Sequence, residues 1–179
     1  MSTAARVANL ASACAAVLVV AALGARPAAA DEGETALSVG LAFARFSIPE
    51  HDGDGGALTI EYERGLSDAF WLRATSTGGV YRGGDQDGTS YTSNAVIGLT
   101  YVIDVLRYVP YLHAGVGAIA LRGDSVDYEL HPLAEIGIGL DILARRGLSY
   151  GFFGRAGTFL DESSFITVGL RLTWRWGFF

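Results

Sequence analysis

From about residue 35 onward, apolar side chains recur at every second position, and that period of two constrains the fold more than any other feature of the chain. It is the period of an extended strand, whose side chains point alternately to its two faces. The clearest run spans about 164–178. There Ile166, Val168, Leu170, Leu172, Trp174 and Trp176 alternate with Thr167, Gly169, Arg171, Thr173, Arg175 and Gly177. Seven further runs lie at about 35–47, 57–64, 70–81, 92–103, 111–121, 132–141 and 148–158, and the alternation is faintest over 70–81.

Eight strands is an even number, and most are near the ~9–11 residues that a tilted strand needs to cross a bilayer. Half of the residues are hydrophobic. No segment after Ala30 holds ~18 consecutive apolar residues, so the hydrophobicity belongs to strands rather than to membrane helices. The connections alternate in character. Those after the first, third, fifth and seventh strands are polar and acidic: PEHDGDGG, RGGDQDGTS, RGDSVDYELH and LDESS. The others, RGLSDA, DVLRYVP and LARRG, are tighter. Long loops at one end and short turns at the other suit an up-and-down membrane barrel.

Alternation leaves open which face is outside. A soluble eight-stranded barrel, as in lipocalins, buries the apolar face. Three features favour the inverse arrangement. The polar face is rich in Gly, Ala, Ser and Thr, and the chain contains no lysine, unlike a solvated surface. That face carries both signs of charge, Arg73, Arg155, Arg171 and Arg175 against Glu61, Glu63, Glu135 and Asp141, which can pair inside a lumen. Aromatic residues gather at strand ends as two interfacial girdles: Phe70, Tyr108, Trp174, Trp176 and Phe178 near the short turns, Phe46, Tyr81 and Tyr91 near the loops. The expected fold is all-β, an eight-stranded antiparallel up-and-down transmembrane barrel over residues 31–179.

Residues 1–30 read as a signal peptide. Arg6 precedes an apolar stretch over 13–25, Ala28-Ala29-Ala30 supplies the small residues of a cleavage site, and Asp31 begins a polar segment. The single cysteine, Cys14, falls within the signal and before most of its apolar stretch, so the mature chain is expected to carry no disulfide or thiol chemistry. All 19 acidic residues and all but two of the 13 basic ones follow Ala30, leaving a net charge of −8, which argues against nucleic acid as a partner.

With the last strand in place, the chain resembles small eight-stranded bacterial outer-membrane barrels of the OmpA and OmpX type. The resemblance covers nearly all of 31–179 and rests on the signal, the strand count and the terminal segment FITVGLRLTWRWGFF. It implies export to the cell outer membrane, acidic loops at the cell surface, and contact with membrane lipid and lipopolysaccharide. It also implies a terminal signal for the barrel-assembly machinery, carried by Leu170, Leu172, Trp174, Trp176, Phe178 and Phe179. The apolar row is in phase with Phe178 rather than Phe179, so either Phe179 is an extra residue or the last strand carries a bulge. The implied role is non-enzymatic, in membrane integrity, adhesion or surface interaction, and a monomer is expected. The alternatives are a lipid A-modifying enzyme and a small-solute channel.

Few residues suggest chemistry. Asp52-Gly53-Asp54-Gly55-Gly56 resembles a calcium loop only faintly, lacking the third oxygen ligand and the flanking helices, and reads as an acidic turn. His51, His113 and His131 have no metal-ligand spacing. Asp124-Ser125 and His51 fall in different loops, which does not build a serine–histidine pair. No catalytic residue, cofactor or metal is expected. The eight inward charges are expected to form a structural network, because an eight-stranded lumen is just wide enough for its own side chains. Within it, loss of Glu135 is expected to strand an arginine.

Overall fold

The computed structural model describes residues 34–48, 51–82, 89–103, 107–123, 129–145, 147–159 and 163–177. They form eight strands: β1 (Thr35–Ile48), β2 (His51–Gly65), β3 (Phe70–Arg82), β4 (Thr89–Val102), β5 (Tyr108–Gly123), β6 (Glu129–Arg145), β7 (Leu148–Phe159) and β8 (Ser164–Trp176). Each pairs antiparallel with its neighbour in sequence, and β8 closes on β1 from Thr35↔Trp176 to Ser47↔Ser164. Closure leaves no strand edge unpaired, which is what a sheet must achieve in hydrocarbon. No helix occurs among the described residues.

The barrel is inside-out. Leu41 and Leu170, in register with each other, are each 70% exposed, whereas Glu61 and Asp141 are 0% exposed. Such a surface is unfavourable in water and matched to lipid. At the turn end, which bears the 66–69 and 103–107 connections, Phe70, Tyr101, Tyr108, Trp174 and Trp176 point outward. The Phe70 and Tyr101 rings meet at 5.3 Å. At the loop end Tyr91 points outward. Ten residues of β4 separate Tyr91 from Tyr101, a height of about 25 Å for a strand tilted ~40°, which matches the apolar band of membrane barrels.

Two sequence expectations are corrected. Phe46 and Tyr81 are not in the outer girdle. Both are buried in the lumen, with ring centroids 4.8 Å apart at 89°. Each sits one step out of phase with the apolar row of its strand, and phase decides the face. The stretch HDGDGG is not a loop, because β1 and β2 stay in register from Thr35↔Arg64 to Ile48↔His51. Its glycines hide the alternation, yet they serve the strand. Gly53 lies opposite Phe46, whose ring occupies the space a Cβ at Gly53 would need, a pairing of aromatic and glycine known to support strands. Asp52 and Asp54 face outward and lie 3.6 and 3.7 Å from Arg45.

Among the described residues two glycines have positive φ, and both stand at strand ends. Gly147 (φ 78°) turns β6 into β7, and its carbonyl accepts from Arg175 N at 2.9 Å. Gly177 (φ 105°) takes the chain out of the extended conformation just after Trp176. The period of two therefore stops at Trp176. Phe178 and Phe179 lie outside the described residues, as do residues 1–33, Asp124 and Ser125.

Candidate functional site

The lumen is where this barrel concentrates its polar chemistry. Antiparallel pairing brings inward positions of distant sequence to one level. Glu61 and Glu63 on β2, Arg73 on β3, Glu135 and Asp141 on β6, Arg155 on β7, and Arg171 and Arg175 on β8 all face inward. The first seven are buried, and Arg175 is half-buried at the turn-end mouth. Charges are costly in such a place unless matched, and here four carboxylates meet four guanidiniums.

Glu61 is the hub. Its carboxylate accepts from Arg155 Nη2 across the barrel and from Arg171 Nη1 at 2.7 Å, and Arg73 Nη1 lies 3.6 Å away. Glu63 accepts from Arg73 Nε on the neighbouring strand. Asp141 holds Arg171 in a two-pronged contact, Nε at 2.9 Å and Nη2 at 2.8 Å, and also accepts from Arg175 Nη2 at 3.0 Å. The planar guanidinium fork suits such bidentate pairing.

Glu135 is more peripheral than the sequence suggested. Its nearest charged neighbours are His113 Nε2 at 3.5 Å and Arg155 Nε at 3.9 Å, and Oε1 accepts no hydrogen bond from either. Arg155 already has Glu61, so removal of Glu135 leaves no arginine without a carboxylate. Strand register is the cause: Glu135 pairs with Gly115 and Gly157, a level nearer the loop end than Glu61's partners.

Sequence reasoning missed the aromatic members of this layer. The Tyr111 ring lies between two guanidiniums, with Arg73 Cζ 4.5 Å and Arg171 Cζ 4.2 Å from its centroid. Arg155 lies 4.6 Å over Phe153, and Arg175 5.9 Å over Trp71. These contacts spread cation charge over π-faces. Tyr111 lies opposite Gly139, where a Cβ would overlap its ring. The available signal was phase, since Tyr111 lies two residues before inward His113.

Toward the loop end the lumen changes character. Phe46, Tyr81, Val96, Ile119, Leu121, Leu133 and Phe165 pack with Ala44 and Ala57 into a buried apolar cluster. Between the two layers Thr77 donates to Thr59 at 3.2 Å, and at the level of the apolar cluster Thr92, opposite Leu121, donates to the Tyr81 hydroxyl at 3.1 Å. A cavity of about 10 Å³ lies beside Trp71, Tyr111 and Arg175 at the turn-end mouth, space for about one water. A larger hollow, 740 Å³, is on the outer wall among Leu99, Ala114, Ala134, Ile136 and Ala156, where it faces lipid; of the lumen charges only Glu135 adjoins it.

His113 lies inward, with Nδ1 3.4 Å from Thr100 Oγ1. Among the described residues no three His, Asp or Glu side chains are grouped as metal ligands would be. The outward rows, as described, carry no histidine to serve a nucleophile.

No protein-family model matches the chain, and none of the curated proteins matches its sequence. Solved structures do match its fold. Ail, the attachment invasion locus protein of Yersinia pestis, is 15% identical, covering 81% of this chain and 99% of Ail, with a TM-score of 0.62. Neisserial surface protein A is 14% identical, covering 81% of this chain and 100% of that one, with a TM-score of 0.64. The outer membrane enzyme PagL is 15% identical, covering 78% of this chain and 97% of PagL, with a TM-score of 0.50. At these identities the likeness is one of fold, the eight-stranded barrel of the outer membrane, and that fold hosts both enzymes and non-enzymes.

Proposed function

We propose that this chain, which folds as eight-stranded outer-membrane barrels do, is a non-enzymatic outer-membrane protein with a closed lumen and acidic loops at the cell surface. Its role in this reading is membrane integrity, adhesion or surface interaction, with membrane lipid and lipopolysaccharide as neighbours. One observation carries the closed lumen: Glu61 gathers arginines from β3, β7 and β8 beneath an apolar cluster that fills the loop end. A solute crossing from end to end would have to break both layers.

Single-channel recording from the pure protein in planar bilayers tests this. The expected result is no sustained conductance, with no entry of sugars into loaded vesicles. Reproducible open channels would make a small-solute channel the better reading. Lipid A chemistry compared with and without the gene tests the enzyme alternative, and no change is expected.

Two further parts of the reading concern assembly. Residues 1–30 act as a cleaved export signal, so N-terminal sequencing of membrane-extracted protein is expected to begin at about Asp31. Recovery of intact Met1 would overturn this. The outward row Leu170, Leu172, Trp174 and Trp176, with the terminal Phe178 and Phe179 after it in sequence, serves as the segment read by the assembly machinery. The positive φ at Gly177 supports a break in phase just before the two terminal aromatics.

A further inference from the structure

Three arginines point outward at the loop end: Arg45 on β1, Arg82 on β3 and Arg122 on β5. They differ in their company. Arg45 lies between Asp52 and Asp54, at 3.6 and 3.7 Å. Asp54 stands opposite Arg82 in the β2–β3 ladder, but its carboxylate pairs with Arg45. Arg82 and Arg122 have no ion-pair partner among the described residues, and both are exposed.

Register sets these two cations around one aromatic. Tyr91 on β4 lies directly opposite Arg122, and opposite Val80, one outward step below Arg82. Tyr91 is 52% exposed and belongs to the loop-end girdle. Arg82 and Arg122 are two strands and one outward step apart, about 12 Å between Cα atoms. Both side chains can reach one headgroup from that spacing. Below them on β4 and β5 the outward row is hydrocarbon-facing, through Ala95, Ile97 and Val116. The two guanidiniums therefore stand at the depth of lipid headgroups.

We propose that Arg82, Tyr91 and Arg122 form a docking surface for the phosphorylated headgroup of an outer-leaflet glycolipid. This rests on the reading that the loop end faces outward in the outer membrane. Guanidinium and phosphate match in fork geometry and charge, and a tyrosine at the interface presents both an apolar ring and a hydroxyl. The sequence also favours a lipid source over a free anion. The segments that follow the two arginines in sequence carry Asp85, Asp87, Asp124 and Asp127, and that negative charge disfavours free anions arriving through water. A headgroup arrives laterally, within the membrane plane.

The test uses the full membrane-extracted protein in detergent, titrated with bis-phosphorylated lipid A, with the same lipid dephosphorylated, or with inorganic phosphate. The wild type is expected to bind the phosphorylated lipid. R82Q/R122Q is expected to bind it about thirty-fold more weakly, each arginine near a charged lipid surface being worth about a factor of five. R64Q/R107Q, at the opposite end, is expected to bind as the wild type does. Equal binding by R82Q/R122Q, or equal binding of the dephosphorylated lipid, overturns the proposal. Equal protection by inorganic phosphate overturns the lipid source. Insertion into phosphatidylcholine vesicles is scored separately. A wild type that fails to insert sinks the membrane reading, whereas one that inserts without phosphate-dependent binding sinks only the docking surface.

Discussion

Glu61→Ala is expected to destabilise the folded barrel by about 3–5 kcal/mol, the usual cost of removing one partner from a buried ion pair. Glu61 is 0% exposed, and Arg73, Arg155 and Arg171 converge on it. Without the carboxylate Arg73 and Arg171 retain Glu63 and Asp141 as close partners, and Arg155 keeps the hydroxyl of Thr59 at 3.3 Å, the face of Phe153 and a distant Glu135. Three cations would then be held together in a dry lumen against fewer anions. Glu61→Gln should lose less than Glu61→Ala, because it keeps volume and a hydrogen-bond acceptor. Glu135→Ala should lose clearly less than either, since Glu135 Oε1 accepts no hydrogen bond. Urea unfolding of the three variants in lipid vesicles checks this order. Equal losses for Glu61→Ala and Glu135→Ala would mean that Glu61 is not the hub.

Leu170→Arg is expected to cost about 2–4 kcal/mol of folding free energy in a bilayer, while Ser164→Arg costs about 0–1 kcal/mol. Both residues point outward on β8. Leu170 lies near the middle of the apolar row, flanked by Val168 and Leu172, and pairs with Phe152 and Leu41 on either side. An arginine there must bury its charge in hydrocarbon or thin the membrane locally. Ser164 lies at the loop end, where an arginine can extend into the headgroup layer. The depth dependence is the informative part. In a water-soluble barrel both substitutions would be nearly neutral surface changes, so a neutral Leu170→Arg in vesicle folding assays sinks the membrane assignment.

The two variants probe opposite faces of one wall. The same alternation supplies an outward row whose middle tolerates no charge and, on β2, β3, β6, β7 and β8, an inward row whose charges must be matched. The lumen, once filled by Glu61, Arg171, Tyr111 and their neighbours, resists collapse, and in the function proposed above the same filling blocks passage. The Tyr111 ring, the Asp141 carboxylate and the Arg155 stem occupy the space left by Gly139, Gly151 and Gly137 respectively. Close packing of this kind is also why a small change in one partner is felt across the barrel.

Much of this was legible in the sequence because a strand's side-chain period is local. Leu170, Leu172 and Trp174 against Arg171, Thr173 and Arg175 fix β8 and its two faces without reference to any other strand. The absence of lysine and the mixed charges of Arg73, Glu61 and Asp141 indicated which face turns inward. What period alone cannot give is register, and register decides which inward residues share a level. That is why Glu61, rather than Glu135, collects the arginines: the pairs Glu61↔Thr75 and Gly151↔Arg171 set their heights in the barrel. Register also carried the ladder through His51–Gly56, where glycines erase the alternation but leave the main-chain hydrogen bonds intact. Phe46 and Tyr81 illustrate the same division. Their aromatic character near strand ends is a sequence property shared by girdle and lumen; their phase within β1 and β3 points them inward, and the pairing of both strands with β2 sets the two rings edge to face.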